Sequence, residues 1–250
     1  GEAQYYLGRI YENRKQYDRA IDWYEEVHVS DYQFDARLRI ADMLGLSGQT
    51  EEAIEHLDAM LKGSQTNGSL VRIYIAKGEL LRMARRYEEA MTVFDTALDI
   101  IPDNNDLLYA RALVAERLGR IDQLEADLKI ILKTEPDNAH ALNALGFTLA
   151  DQTDRFEEAY DYLKRAIEIM PDDPAIIDSL GWVLYRLGRY EEAVEPMERA
   201  AELEPVDPII NDHLGDVFWA VGRDIEARFQ WNRALSFNPE SEEADRIRRK

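Results

Sequence analysis

Apolar residues recur at spacings of three and four along almost the whole chain, which is the period of one face of an α-helix. The pattern is clearest from Pro171 to Pro205, PDDPAIIDSLGWVLYRLGRYEEAVEPMERAAELEP. Leu180, Gly181 and Leu184 share one stripe there, and Tyr190, Ala193, Met197 and Ala200 share another. Leu187-Gly188-Arg189 separates the two stripes, so the stretch predicts two amphipathic helices joined by a tight turn. Neither can cover its apolar face alone. Each needs a neighbour, and the sequence supplies one by repeating the unit.

The repeat is visible from two separate anchors. A small residue sits in the middle of each first helix: Gly8, Ala41, Gly78, Ala112, Gly146, Gly181 and Gly215. A second series marks each second helix: Ala20, Ala53, Ala90, Leu124, Ala159, Ala193 and Ala227. Successive members of either series lie 33 to 37 residues apart. A small side chain lets two antiparallel helices approach closely, and larger ones fill the space beside the crossing: Tyr24, Leu57, Phe94, Leu128, Leu163, Met197 and Trp231. Pro102, Pro136, Pro171, Pro205 and Pro239 punctuate the second helices, which proline cannot extend. The expected repeats are 1–33, 34–70, 71–104, 105–138, 139–173, 174–207 and 208–240, with a short helix over 241–250 capped by Ser241. Asp173-Pro174 and Asp207-Pro208 pair an N-cap side chain with proline at the first helical position. Repeat two ends in the polar Gly63–Ser69 segment, which reads as a turn or joint and contains the glycosylation-type triplet Asn67-Gly68-Ser69.

This period, with Leu7-Gly8…Tyr11…Ala20…Tyr24 and Leu180-Gly181…Leu184…Ala193…Met197…Ala200…Pro205, resembles the tetratricopeptide repeat family over nearly the whole chain. Repeat four departs most, carrying Ala112 and Leu124 at the two small positions, and repeat five has one extra residue in its Asp151–Arg155 turn. The resemblance implies an all-α solenoid, a right-handed superhelix of about seven antiparallel helix pairs forming one array, with the first helices lining a concave groove.

Composition narrows the partners. The net charge of −20 disfavours nucleic acid and anionic membrane surfaces, whose phosphates attract basic stripes. It fits a well-solvated extended array, or an acidic groove for a basic partner. No cysteine is present, so no disulfide or thiolate metal site is expected. No apolar run is long enough to span a bilayer and no signal peptide is present. Because the chain opens in mid-pattern at Tyr5, Leu7 and Gly8, it reads as a piece of a longer protein. Catalytic signatures are missing: His28, His56, His140 and His213 fall in four repeats with no H-E-x-x-H spacing, and no P-loop or nucleophile elbow occurs. Acidic pairs such as Glu88-Glu89 and Glu191-Glu192 start second helices, where the helix dipole favours them. We therefore expect no enzyme activity, no cofactor and no metal.

Binding is the expected role. On the resemblance, side chains beside each small residue and one turn to either side face the groove. In repeats five to seven these are Asn143, Phe147, Asp178, Trp182, Tyr185, Arg186, Asp212, Asp216 and Trp219, with Trp182 and Asp216 expected to face outward. Aromatics beside Asp and Arg have the composition of a protein-binding hot spot; packing of Trp182 and Trp219 between repeats is the competing reading. Repeats three and four offer a weaker stripe, Ile75, Glu79, Tyr109 and Leu113. In repeat one Tyr5, Arg9, Glu12 and Asn13 are expected on the inner side. The Lys/Asn/Arg clamp by which some family members grip a partner's carboxyl terminus is absent: Tyr5, Arg9, Arg39 and Asp42 stand there instead.

The last two repeats, DPAIIDSLGWVLYRLGRYEEAVEPMERA and DPIINDHLGDVFWAVGRDIEARFQWNRAL, resemble the C-terminal repeats of proteobacterial envelope tetratricopeptide lipoproteins. That resemblance implies a non-enzymatic adaptor on the periplasmic side of the outer membrane, anchored outside these residues, which tethers a carboxyl-terminal processing protease and its cell-wall hydrolase substrates. The alternatives are a cytosolic assembly factor or co-chaperone, the non-catalytic arm of an enzyme whose active domain lies upstream, or a self-assembling array.

Overall fold

The computed structural model describes residues 1–28, 31–63 and 66–250. Among them there are helices and turns and no strand. The helices pack as consecutive pairs, α1 (Glu2–Asn13) with α2 (Tyr17–Glu25), α3 (Gln33–Leu46) with α4 (Thr50–Gly63) and α5 (Asn67–Met83) with α6 (Tyr87–Ile100), followed in the chain by α7 (Asn105–Arg117) and α8 (Ile121–Thr134). The second half continues with α9 (Ala139–Gln152) and α10 (Phe156–Ile169), α11 (Pro174–Arg186) and α12 (Tyr190–Leu203), α13 (Pro208–Ala220) and α14 (Asp224–Ser236), then α15 (Ser241–Arg248). The chain divides into two compact units, Gly1–Asp127 and Leu128–Lys250. Within each, first helices pack side by side: α3 on α5 and α5 on α7 in the first unit, α9 on α11 and α11 on α13 in the second.

The small residues sit where helices cross, for the steric reason the pattern indicates. A Cβ placed on Gly8 would lie 2.4 Å from the Tyr24 ring, on Gly78 2.1 Å from Phe94, on Gly181 2.7 Å from Met197 Cγ, and on Gly215 2.4 Å from Trp231. Each large second-helix side chain thus occupies the volume that the glycine vacates. Ala20, Ala53, Ala90, Leu124, Ala159, Ala193 and Ala227 have no solvent exposure. The turns within repeats use left-handed backbone, supplied by Gly188 (φ 74°) and Gly222 (φ 80°) in the last two pairs and by Lys15 and Arg85 in the first and third.

The helix starts follow their caps. Asp173 Oδ1 accepts from the Ala175 and Ile176 amides, and Asp207 Oδ1 from those of Ile209 and Ile210. Asn104 and Asn138 cap α7 and α9 in the same way. Two boundaries differ from the sequence reading. Asn67, Gly68 and Ser69 are not part of a joint: they form the first turn of α5, with Thr66 Oγ1 accepting from the Ser69 amide at 3.2 Å. Ser64 and Gln65 of that segment lie outside the described residues. Ser241 is the first residue of α15 rather than its cap, because the Glu240 carbonyl already accepts the Ala244 amide at 2.8 Å.

Candidate functional site

In the first unit, the exposed face of α3 and α5 forms a shallow groove lined by Tyr5, Asp35, Leu38, Arg39, Asp42, Arg72, Ile75, Ala76 and Glu79. Its basic groups are held in place. Arg39 donates to Glu12 Oε1 at 2.7 Å and to the Tyr5 hydroxyl at 3.2 Å, and Arg72 pairs with Asp35 at 2.5 Å while lying over the Phe34 ring. Tyr5 is buried and stacks on Tyr32 with centroids 4.8 Å apart, so it forms the groove's floor. Asp42 retains access to solvent, yet neighbouring protein strips enough hydration to raise its carboxyl above the usual range despite the charge of Arg39. Ile75 and Glu79 are half-buried on this wall, with Glu79 taking two bonds from Arg82. Tyr109 and Leu113, on α7, are half-buried as well. Expected inner-face residues Arg9 and Glu12 are half-buried and Asn13 is exposed.

The second unit departs from the expected groove. Trp182 is buried, 6% exposed, and does not face outward. Its ring stacks on His213 of α13, with centroids 4.2 Å apart and planes within 16°, and on Tyr185 at 5.0 Å. Its indole N–H donates to Asp151 Oδ1 at 3.2 Å. The physical reason is that α11 is covered on three sides: α12 packs behind it and α9 and α13 flank it. A position beside the glycine stripe therefore meets the next first helix before it meets water. Asp151, in the last turn of α9, joins this contact region, its carbonyl accepting Arg186 Nη1 at 2.9 Å. Arg186 also lies over the Phe156 ring.

Asp178 and Asp212 are likewise buried, against the expectation of groove-facing acids. Asp178 accepts the His213 Nδ1 proton at 2.9 Å. Burial works against the His213 cation, but the Asp178 charge and hydrogen bond outweigh it and raise the imidazole above its ordinary 6.5. Asp212, one repeat on from Asp178, takes Arg246 Nη2 and Lys250 Nζ, each at 2.8 Å. Asp216 accepts Lys250 Nζ at 2.6 Å and the Trp231 indole at 3.1 Å. Burial raises the Asp216 carboxyl even so, and Lys250 counters part of that rise. Asp178 is thus engaged by His213, and Asp212 and Asp216 by Arg246, Lys250 and Trp231, so none of the three is available to a partner in this arrangement. Phe147 is half-buried, 6.2 Å from the His213 ring; Asn143 is half-buried, with its side-chain oxygen unpartnered. Tyr185 is half-buried, and burial followed by the Asp216 charge raises its phenol. Of the aromatic candidates here, Trp219 is the one that reaches solvent broadly, at 47% exposure, tilted against Trp231.

Of the nine candidates in repeats five to seven, Asp178, Trp182 and Asp212 are buried and the other six keep some access to solvent. The sequence reading missed His213 as the hub. The available signal was the spacing of Asp178 and His213, 35 residues, which places them in adjacent repeats. The pair is closed to substrate, with His213 3% exposed, and Trp182 lies across it. Among the described residues no three His, Asp or Glu side chains converge to hold a metal, and no helix is long and apolar enough to cross a membrane.

Profiles of the tetratricopeptide repeat match residues 38–105 and 179–242 with one form, 137–203 with a second and 1–31 with a third. The chain belongs to the tetratricopeptide repeat family. A tetratricopeptide repeat protein of Parabacteroides merdae superposes over 98% of this chain and 96% of its own, with a TM-score of 0.77 at 16% identity, which is a likeness of fold. A TPR repeat-containing protein of Pseudomonas aeruginosa, PA4667, is 39% identical over 186 residues, 74% of this chain. The match spans 31% of that relative's length. Human protein O-mannosyl-transferase TMTC1 is 23% identical over 179 residues, 20% of its own length. Arrays of this family generally bind other proteins, and the geometry above is that of an all-helical scaffold.

Proposed function

We propose that this array is a non-enzymatic adaptor that captures a segment of a partner protein on the inner face of its first helices. The observation that carries the reading is the groove on α3 and α5, where Arg39 and Arg72 are locked by carboxylates while Asp42 keeps access to solvent beside the apolar Ile75. Such a wall offers apolar contact and oriented charge without a nucleophile or base. In the second unit the corresponding contribution comes from Trp219 rather than Trp182.

The partner proposed is a carboxyl-terminal processing protease of the bacterial envelope together with its cell-wall hydrolase substrates. The array would stand on the periplasmic side of the outer membrane, held by an anchor these residues do not contain. Support for this comes from the sequence of the last two repeats, DPAIIDSLGWVLYRLGRYEEAVEPMERA and DPIINDHLGDVFWAVGRDIEARFQWNRAL. Tethering enzyme and substrate on one array raises their effective concentration without any chemistry by the array itself. The non-catalytic arm of a larger enzyme is the second reading, favoured by the 23% likeness to a mannosyl-transferase.

The test uses the array and an Ile75→Glu/Trp219→Glu variant as baits in a proteobacterial envelope extract. Retention of a processing protease by the parent, reduced at least tenfold in the variant, is the expected result. Equal retention by both baits would overturn the inner-face assignment, and retention of no envelope protein would overturn the adaptor reading.

A further inference from the structure

Away from the inner face, α14 breaks a rule that the other second helices keep. Two residues before each second-helix anchor the repeats carry Asp18, Glu51, Glu88, Asp122, Glu157 and Glu191, all exposed. In the last repeat that position is Ile225. Two residues after the anchor, four repeats carry Asp22, Glu55, Asp161 and Glu195, and two carry Thr92 and Ala126. In the last repeat that position is Phe229. The backbone register is the same, so the chain itself shows what solvation favours there. Ile225 is 86% exposed and Phe229 61%. Spaced by four, they stand one above the other on a single face of the helix. They border a groove whose floor is Leu214 and Phe218 of α13 and whose far wall is Glu198, Ala201 and Glu202 of α12. Arg223 fixes that floor by lying 3.9 Å from the Phe218 ring centre while bonding Glu198 and Glu226.

We propose that this groove between α12 and α14 docks an amphipathic helix of a partner protein whose apolar face is flanked by Lys or Arg. Charge complementarity selects that occupant. Glu191, Glu195, Glu198 and Glu202 follow one another along α12 at spacings of four, three and four; Glu198 and Glu202 line the groove, where with Glu226 they outnumber Arg223 and Arg233. A helix that seats leucines on Ile225 and Phe229 therefore brings its flank against carboxylates. A second copy of this chain would bring the same carboxylates against these, within a molecule of net charge −20, and is disfavoured. Aromatic and aliphatic side chains standing in a groove are the usual anchors of such contacts. The site is separate from the inner-face groove, so either can fail without the other.

The probe is a fluorescein-labelled amphipathic peptide of leucine and lysine, with the leucines on one face, titrated with the 250-residue chain and read by fluorescence anisotropy. A second peptide replaces every lysine by glutamate. The variant is Ile225→Glu/Phe229→Glu, which restores the acid usual at these exposed positions; circular dichroism checks its helicity. The expected result is binding of the lysine peptide by the parent, at least tenfold weaker binding by the variant, and no binding of the glutamate peptide. The variant is more negative than the parent, so attraction by charge alone would hold or strengthen. Equal or tighter binding of the lysine peptide by the variant therefore overturns the proposal. Dimerisation of the parent in sedimentation velocity that the variant abolishes, or flotation of the parent with phosphatidylcholine vesicles, would overturn it in favour of a second copy or a lipid surface.

Discussion

Trp182 and Trp219 stand on neighbouring first helices, and their surroundings decide what each can do. Trp182 is sealed between His213, Tyr185 and Asp151, whereas Trp219 leaves 47% of its surface in water. Truncation of a buried aromatic leaves a cavity, so Trp182→Ala should lower the unfolding free energy by about 3 kcal/mol, and Trp219→Ala by less than about 1 kcal/mol. Urea titration of both variants checks this, and equal losses would contradict the assignment. His213 makes a second prediction. Its folded-state pKa is raised, so folding binds its proton more tightly than the unfolded chain does. The stability it contributes is full below the ordinary imidazole value of 6.5 and is lost as pH rises through the higher folded value. The urea midpoint of the parent should therefore fall as pH rises from 6.5 upward, and His213→Gln should flatten that slope; an unchanged slope would show that other groups set it. The sequence offers both a groove-facing and a core-packed Trp182 and does not decide between them. Helical period identifies which positions share a face, but not whether the next repeat covers that face.

Helix pairing, by contrast, could be read from the sequence before any coordinates. The small and large anchors carry steric information that does not depend on the rest of the fold. Glycine at a crossing and a bulky residue four beyond the opposing anchor are two halves of one contact. The distances confirm the pairing of Gly8 with Tyr24, Gly181 with Met197 and Gly215 with Trp231. Gly181→Leu should accordingly cost about 2 kcal/mol or more, since even a Cβ would lie 2.7 Å from Met197 Cγ. A melting temperature equal to that of the parent would contradict the crossing. Element ends were read less well where polar residues crowd together. Gly63–Ser69 looked like a joint because Gly, Ser and Asn are common in turns, but Thr66 caps and Asn67 begins a helix there. The extra residue in the Asp151–Arg155 turn was visible as an irregularity. That Asp151, at the end of α9, meets Trp182 and Arg186 depends on three-dimensional packing.

At the scale of the molecule, a chain of net charge −20 pairs many of its bases with acids, Arg39 with Glu12, Arg111 with Asp127 and Arg246 with Asp212 among them. The surfaces proposed for partners are the inner wall of α3 and α5, the exposed edge of Trp219, and the apolar pair on α14. The central claim is that the inner wall is a capture surface for another protein. It is tested most directly by placing a photo-crosslinking benzoylphenylalanine at Ile75, Glu79 or Trp219, and in parallel at the outward Thr92 or Asp161. Each protein is irradiated in envelope extract, and the products are identified by mass spectrometry. The account predicts one shared protein partner, a processing protease or its hydrolase substrate, trapped from the inner positions and absent from the outward ones. Crosslinks confined to the outward positions, or the same products from both sets, would contradict it.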